Sequence, residues 1–449
     1  MTKLFGHSVR SQTILLYLVE TIVCFLTVYA LLRLGMGMGM PPVTFANGIA
    51  CAAVLAVSAS LVAGASGLYQ TDAWHRLGRF LLGCAVTAGL LFLVAQAVLM
   101  VLAPGIDGAA HWSALGIVLG GLVAAIMATH LAFAAAARQG LLRHRIAMLR
   151  APDGTAPVEL FAEAGEPFEL ALDAPLTAID GPGLAPEALR AARVRTVVVA
   201  DPEAVPAARR IGWQRAGLRV LSAAEFAEQR SNRVDLSLLA PGWLEALPAG
   251  RAAGVQEMLR RGIDIAGSLA LLVLTLPLLL LTALAIRLDS PGPVLYRQER
   301  VGRNGQVFTL LKFRSMRADA EAPGTPRWAT TRDDRVTRVG RFIRLTRIDE
   351  IPQAINVLRG DMALVGPRPE RPAFVEQLSR AIPHYQDRDS VRPGITGWAQ
   401  VNYPYGASVD DARMKLAYDL YYVKHRSLFL DLLILVATVR VVLFQEGSR

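Results

Sequence analysis

Cysteine is scarce in this chain: three residues in 449, Cys24, Cys51 and Cys84, all within apolar N-terminal stretches. A disulfide framework, a zinc site and a catalytic thiol are therefore excluded from the polar remainder. Lysine is scarce where charge is densest. Residues 287–402 hold about twenty basic residues against about thirteen acidic ones, and only one of those cations is a lysine. No Gly-x-Gly-x-x-Gly turn follows the strand expected at 194–201, so dinucleotide binding has no support. There is no internal repeat and no long low-complexity tract, only a short Gly/Met alternation from Gly35 to Met40. The first apolar run is too long for a secretory signal and lacks a small-residue cleavage site after it.

Apolar residues are abundant, at 53% of the chain with a mean hydropathy of +0.37, and the net charge is +10. A basic balance alone suits anionic lipid, nucleoside diphosphates and nucleic acid equally. Four stretches, roughly 12–34, 46–69, 79–102 and 114–137, each approach the ~20 residues that cross a bilayer as a helix. Lys3 and Arg10 precede the first; Arg76 and Arg79 separate the second from the third; Arg138, Arg143, Arg145 and Arg150 follow the fourth. The other two loops, at Pro41-Pro42 and from Pro104 to His111, carry no lysine or arginine, so both ends of a four-helix bundle at 1–145 are predicted to face the cytoplasm.

Composition then turns to Ala, Pro, Glu and Arg. A buried strand at 194–201 followed by a helix at 203–213 predicts a small cytoplasmic α/β domain over 146–255, Rossmann-like but degenerate. A fifth apolar run, Ile265 to Ile286, has Pro277 near its middle, where a lost hydrogen bond and a clash predict a bend or break. Arg260 and Arg261 before it and Arg287 after it make both flanks positive, which predicts a re-entrant helix over 262–287 that enters and leaves on one face. An ordinary fifth span is the alternative. The tail from Leu416 to Phe444, apolar but interrupted by Asp419, Lys424, Asp431 and Arg440, suits helices lying on the membrane. Trp398 is expected in a tight loop at the membrane edge, with a buried aromatic as the competing reading.

The chemistry is expected in the arginine-rich block, because the planar guanidinium fork binds phosphate oxygens in pairs. Lys312, Arg314, Arg344 and Arg368 are the candidate phosphate ligands, and Asp349-Glu350 are adjacent carboxylates among them. Asp349-Glu350 also have a plain explanation. Ile351, Ala354, Ile355 and Leu358 have helical spacing, and Thr346-x-x-Asp349 matches a capping box.

An ordered string of motifs decides between these. Asp289-Ser290-Pro291-Gly292-Pro293-Val294, Gln298-Glu299-Arg300-Val301-Gly302, Lys312-Phe313-Arg314-Ser315-Met316, Thr346 to Pro352, Gly360-Asp361-Met362, Gly366-Pro367-Arg368-Pro369 and Arg392 to Asn402 resemble the bacterial sugar transferase family, the monotopic phosphoglycosyl transferases, over about 258–446. The resemblance implies a mostly α membrane protein whose catalytic domain, 256–449, has a re-entrant helix bent at Pro277. It implies a uridine diphosphate hexose donor, undecaprenyl phosphate as acceptor and Mg2+ as cofactor. Asp349 would attack the sugar-bearing phosphorus and Glu350 would bind the metal or manage a proton, with both carboxylates as candidate metal ligands. Arg344 and Arg368 would hold the donor phosphates. The long architecture resembles members that start exopolysaccharide or O-antigen synthesis in the bacterial inner membrane, as homodimers that feed downstream glycosyltransferases; no nucleic-acid partner is expected. Where short relatives carry a Ser-Pro pair in the re-entrant helix, this chain has Leu276-Pro277 with Thr275 before it.

Two rival readings remain. Asp387-Arg388-Asp389 imitates the metal-binding Asp-x-Asp of glycosyltransferases, although no apolar strand precedes it. Alternatively, the chain is a non-catalytic membrane scaffold acting through its middle domain.

Overall fold

The computed structural model describes the chain apart from residues 1, 5–6, 10, 37–44, 70–76, 103–107, 142, 151–167, 201–202, 240–241, 246–250, 318–319, 321–333, 405, 407 and 445–449. The chain is mostly helical and divides into two compact units, which meet in sequence near Leu238. Five helices are long and apolar enough to cross a membrane.

Four of them belong to the first unit: α1 (Ser11–Met36), α2 (Phe45–Ala65), α3 (Leu77–Leu102) and α4 (Gly108–Arg138). Small residues let these helices approach closely: Cys51, Ala52, Ala56, Ala59, Ala63 and Ala95 are buried together with Leu55, Leu91, Leu99 and Leu122. One charged residue, Glu20, is wholly buried within α1. Its carboxylate accepts a hydrogen bond from Tyr69 Oη at 2.6 Å and lies 2.8 Å from His130 Nε2 of α4. The cysteines are free; Cys24 and Cys51 serve as small apolar core residues.

The same unit contains four parallel strands, β1 (His144–Arg150), β2 (Phe168–Pro175), β3 (Val194–Val199) and β4 (Arg219–Ser222), in the order β2-β1-β3-β4. Ile146 to Leu149 and Val197 to Val199 are buried without alternation, as strands covered on both faces must be. Helices α5 (Pro186–Ala191) and α6 (Ala207–Arg215) cross between strands, and α7 (Ala223–Ser231) follows β4 behind a capping box from Ser222 and Glu225. Trp213 is fully buried and donates its indole N–H to the Leu184 carbonyl at 2.9 Å. The expected strand at 194–201 is observed from 194 to 199; the following helix begins at Ala207, because Pro206 at its N-cap delays it.

The second unit begins with α8 (Arg251–Asp289), longer than the expected 262–287. Pro277 lies inside it, and the backbone is helical on both sides, so the predicted break does not occur. The proline deletes one bond, to the Val273 carbonyl, which is too little to end a helix of this length. Thr275 does not replace that bond, since its hydroxyl donates to Leu271 O at 2.6 Å. The helix exposes Leu269, Val273, Leu274, Leu276, Leu278, Leu280 and Leu281.

After α8 come an antiparallel hairpin, β5 (Leu295–Val301) and β6 (Val307–Phe313), then α9 (Arg338–Leu345), α10 (Gln353–Arg359) and β7 (Ala363–Val365). Helix α11 (Pro372–Ala381), β8 (Gly394–Thr396), α12 (Trp398–Asn402), α13 (Val409–His425) and α14 (Leu428–Phe444) complete the unit. Strands β7 and β8 pair in parallel, Gly394 opposite Ala363 and Thr396 opposite Val365. Glycine is required at this junction: a Cβ on Gly366 would fall on the Arg392 carbonyl oxygen, and one on Gly394 on the Gly366 nitrogen. Trp398 starts a short helix and is buried, stacked at 6.1 Å on Tyr421, which corrects the expected membrane-edge loop. An aromatic face already covered by another ring is not available to lipid.

Candidate active site

The chain enters the site along α9, whose side chain Ile343 packs with Ile286, Phe313 and Ile348. Helix α9 stops at Thr346, and Arg347 follows in the left-handed conformation, φ 59° and ψ 13°. A non-glycine residue held there costs about 1 kcal/mol or more, and such strain gathers at functional turns. It redirects the backbone into a single 3-10 turn, Ile348–Glu350, with Ile348 pinned in the apolar cluster below.

This geometry removes the plain explanation of the carboxylates. Thr346 ends a helix instead of starting one, its hydroxyl donating to Phe342 O at 2.8 Å, and α10 begins only at Gln353 with no side-chain cap. The predicted capping box is therefore absent, because the left-handed residue separates Thr346 from the turn.

Glu350 is gripped by Arg368, whose two terminal nitrogens donate to its two carboxylate oxygens at 2.7 and 3.3 Å; Arg347 stands 3.5 Å away. Asp349 is 7% exposed and makes no hydrogen bond or ion pair among the described residues. The two carboxyls are driven apart in acidity. Burial, then the neighbouring Glu350 charge, pushes Asp349 above the usual carboxylate range, against the pull of Lys312, Arg368 and Arg344. Burial pushes Glu350 the same way, but Arg368, with Arg347 and Lys312, overcomes it and holds Glu350 below that range. Arg368 is raised in turn, chiefly by the Glu350 charge.

Lys312 projects from β6 opposite Tyr296 of β5, its ammonium 5.1 Å from the ring centroid. Burial, and after it Arg300, pushes Lys312 down to about 8, while Asp349 and Glu350 resist. Arg344, half-buried on α9, adds positive potential at Asp349. Asp349, Glu350, Lys312, Arg344 and Arg368 thus act on one another electrostatically at one place.

Arg314 is not brought to them. It is buried and donates to Pro291 O at 2.9 Å, Ser290 O at 2.7 Å and Ser290 Oγ at 3.0 Å. Alternate residues of a strand point to opposite faces, so Lys312 and its second neighbour should share a face; Arg314 lies just past the end of β6, where that rule lapses. Its guanidinium clasps the loop that leaves α8. Pro277 also lies outside the cluster, within α8.

Arg300 and Arg347 are site residues that sequence reasoning passed over. Both stand inside motifs that carry the family resemblance, and the signal that could have singled out Arg300 was its alternation with Gln298 and Tyr296 on one face of β5. Asp387 is committed elsewhere: its carboxylate accepts from Trp243 Nε1 at 2.7 Å and lies 2.9 Å from His384 Nδ1. No group of three or more metal-ligating side chains occurs among the described residues. Magnesium does not need one. It is commonly held by one or two carboxylates together with substrate phosphates. Asp349, unbonded among the described residues beside Glu350, fits that requirement.

The residues of this site lie within the stretch that matches known proteins. Residues 255–445 match the family described as bacterial sugar transferase. A UDP-glucose:undecaprenyl-phosphate glucose-1-phosphate transferase from Caulobacter vibrioides is 46% identical over 194 residues, 43% of this chain and 72% of that protein. A UDP-N-acetylgalactosamine-undecaprenyl-phosphate N-acetylgalactosaminephosphotransferase from Aeromonas hydrophila is 45% identical over 225 residues, 50% of this chain and 52% of its own length. An exopolysaccharide production protein PSS from Rhizobium leguminosarum bv. phaseoli is 41% identical over 190 residues, 40% of this chain and 94% of that protein. The chain thus spans about half the length of the Aeromonas relative.

Proposed function

This chain belongs to the bacterial sugar transferase family, and from that premise we propose that it transfers a hexose-1-phosphate from a UDP-sugar to undecaprenyl phosphate. The observation that carries the reading is the unequal pair: Glu350 is held by Arg368 through one hydrogen bond to each oxygen, whereas Asp349 beside it is left without a hydrogen-bonding partner among the described residues. A carboxylate excused from structural duty among arginines is suited to the nucleophile's role.

In the first step an Asp349 oxygen attacks the sugar-bearing phosphorus. The bond from that phosphorus to the bridging oxygen breaks, and UMP leaves with the electron pair. The product is an aspartyl phospho-sugar. An oxygen of undecaprenyl phosphate then attacks the same phosphorus, the acyl phosphate bond breaks, and the Asp349 carboxylate is restored. Lys312, Arg344 and Arg368 hold the diphosphate and lower the repulsion between two anions. Asp349 and Glu350 would hold Mg2+, which when bound supplies further neutralisation of phosphate charge. Arg368 keeps Glu350 ionised for that duty.

The anchors of α8 support a membrane placement with both of its ends on one face. Near its start, Arg261 donates to Val357 O at 2.6 Å and Leu358 O at 2.8 Å, and Asp264 accepts from Leu364 N at 2.9 Å. Near its end, Ile286 packs on Phe313 and Ile343, and Asp289 caps Val339 N at 3.1 Å. A polar unit that holds both ends cannot lie on both sides of a bilayer. The exposed leucines between the anchors would enter lipid and return, which requires the continuous α8 to bend, at Pro277, without breaking. The active site then stands on the cytoplasmic face of the inner membrane, in a homodimer that initiates exopolysaccharide or O-antigen chains for downstream glycosyltransferases.

The test is a quench. Donor radiolabelled in the sugar phosphate, mixed with protein in the absence of acceptor, is expected to leave label on Asp349 with an equal amount of UMP released. Release of UDP, or label absent from the polypeptide, would overturn the mechanism.

A further inference from the structure

Arg368 is presented by a loop in which four successive backbone carbonyls are each taken. Pro367 O accepts from Gly394 N at 2.9 Å and Glu370 O from Val301 N at 2.9 Å. Between them, Arg368 O accepts from Arg388 Nη2 at 2.8 Å and Pro369 O from Arg300 Nη1 at 3.0 Å. Prolines on either side of Arg368 fix the adjoining φ angles as well. The two arginines are themselves constrained. Arg388, 7% exposed, pairs with Asp419, 2% exposed, at 2.8 Å and donates to Tyr385 Oη at 2.9 Å. Arg300 donates to Gln298 Oε1 at 2.6 Å, lies 3.5 Å from Glu370, and is linked through Gln298 to the hydroxyl of Tyr296, the ring beneath Lys312.

We propose that Arg300 and Arg388, the latter set by Asp419, are positioning residues that hold the Arg368 loop rigid so that its guanidinium meets Glu350 and the donor diphosphate in one geometry. The inference rests on the transferase reading and assigns a task to the middle residue of Asp387-Arg388-Asp389, whose outer carboxylates imitate a metal motif. Two neutral residues could fill the same volume without burying a cation. A buried Arg–Asp pair is weak support for stability, and is best understood where it fixes a register. A charged fork satisfies a backbone carbonyl and a carboxylate at once, which no apolar side chain can do.

A double-mutant cycle tests this, with UMP release from UDP-sugar and undecaprenyl phosphate as the readout. Arg388→Lys and Arg300→Lys each keep the charge but lose the fork. Each is expected to lower kcat/KM about 10- to 100-fold, since a displacement of about 1 Å at a reacting centre has effects of that size. In an Arg368→Lys background the same changes are expected to cost less than about 2-fold, because there is no longer a fork to aim. Where Arg368→Lys falls below detection, the affinity for UDP by calorimetry completes the cycle. A merely structural role predicts equal losses in both backgrounds, accompanied by a fall in thermal midpoint, and that result would overturn the proposal. If Arg388→Lys does not fold, Arg300→Lys carries the same test. Failure of the wild-type protein to release UMP from any UDP-sugar is a different outcome, and it refutes the transferase reading on which the inference stands.

Discussion

Two carboxylates buried in this molecule have opposite fates. Glu20, in the helical bundle, accepts from Tyr69 and lies against His130, so its carboxyl group joins one helix and the segment after another to a third. Asp349, in the second unit, is nearly as buried and has no such partner among the described residues, while its neighbour Glu350 takes the local guanidinium. Burial of a charge is costly in either place. In the bundle, the hydrogen bond from Tyr69 offsets the cost; at Asp349, among the described residues, the nearby cations Lys312, Arg368 and Arg344 do. Satisfaction, more than burial, distinguishes the two acids.

The strongest way to break the comparison is to neutralise each acid. Asp349→Asn is expected to lower transfer about 10³-fold or more while leaving membrane insertion unchanged, as measured by UMP release and membrane fractionation. Glu20→Ala should leave kcat per folded molecule as it is, and lower bundle stability by about 1–2 kcal/mol, read from thermal unfolding in detergent. If Glu20→Ala abolishes transfer in protein that remains folded, the distinction fails.

Gly366→Ala sharpens it from the backbone side. A methyl group there collides with the Arg392 carbonyl, so loss of about 3 kcal/mol or failure to fold is expected, because neither strand backbone can give way. Circular dichroism and thermal midpoint read that outcome.

The smallest effect concerns pH. Lys312 is depressed to about 8, so it is cationic below that pH and loses its charge as pH rises through it. The KM for donor should rise several-fold between about pH 7 and about pH 9, and Lys312→Arg should flatten the rise because guanidinium stays charged. An unchanged slope in that variant would remove Lys312 from donor binding.

The four bundle helices were legible from hydropathy alone, since an uninterrupted apolar run permits few alternatives. The parallel strand at 194–199 was legible for the same reason, its three consecutive valines being buried. Periodicity could not foresee that Arg347 would enter the left-handed region and separate Thr346 from Asp349; nothing in an arginine signals positive φ. Nor could it tell Arg314, which clasps Ser290 and Pro291, from Lys312 two residues earlier, which faces the carboxylates. Both are cations in one motif, and their division of labour depends on where the strand ends. Trp398 was ambiguous for want of knowing that Tyr421 would cover it.

The pinned loop from Gly366 to Glu370 has a practical corollary. Every activated sugar of this type carries the same two phosphorus centres, and a mount that cannot swivel is suited to reading only that shared part. Under the proposed reading, choice among hexoses falls to other residues, which are free to diverge. Attempts to retarget the protein to a new sugar should leave this mount untouched and search around it.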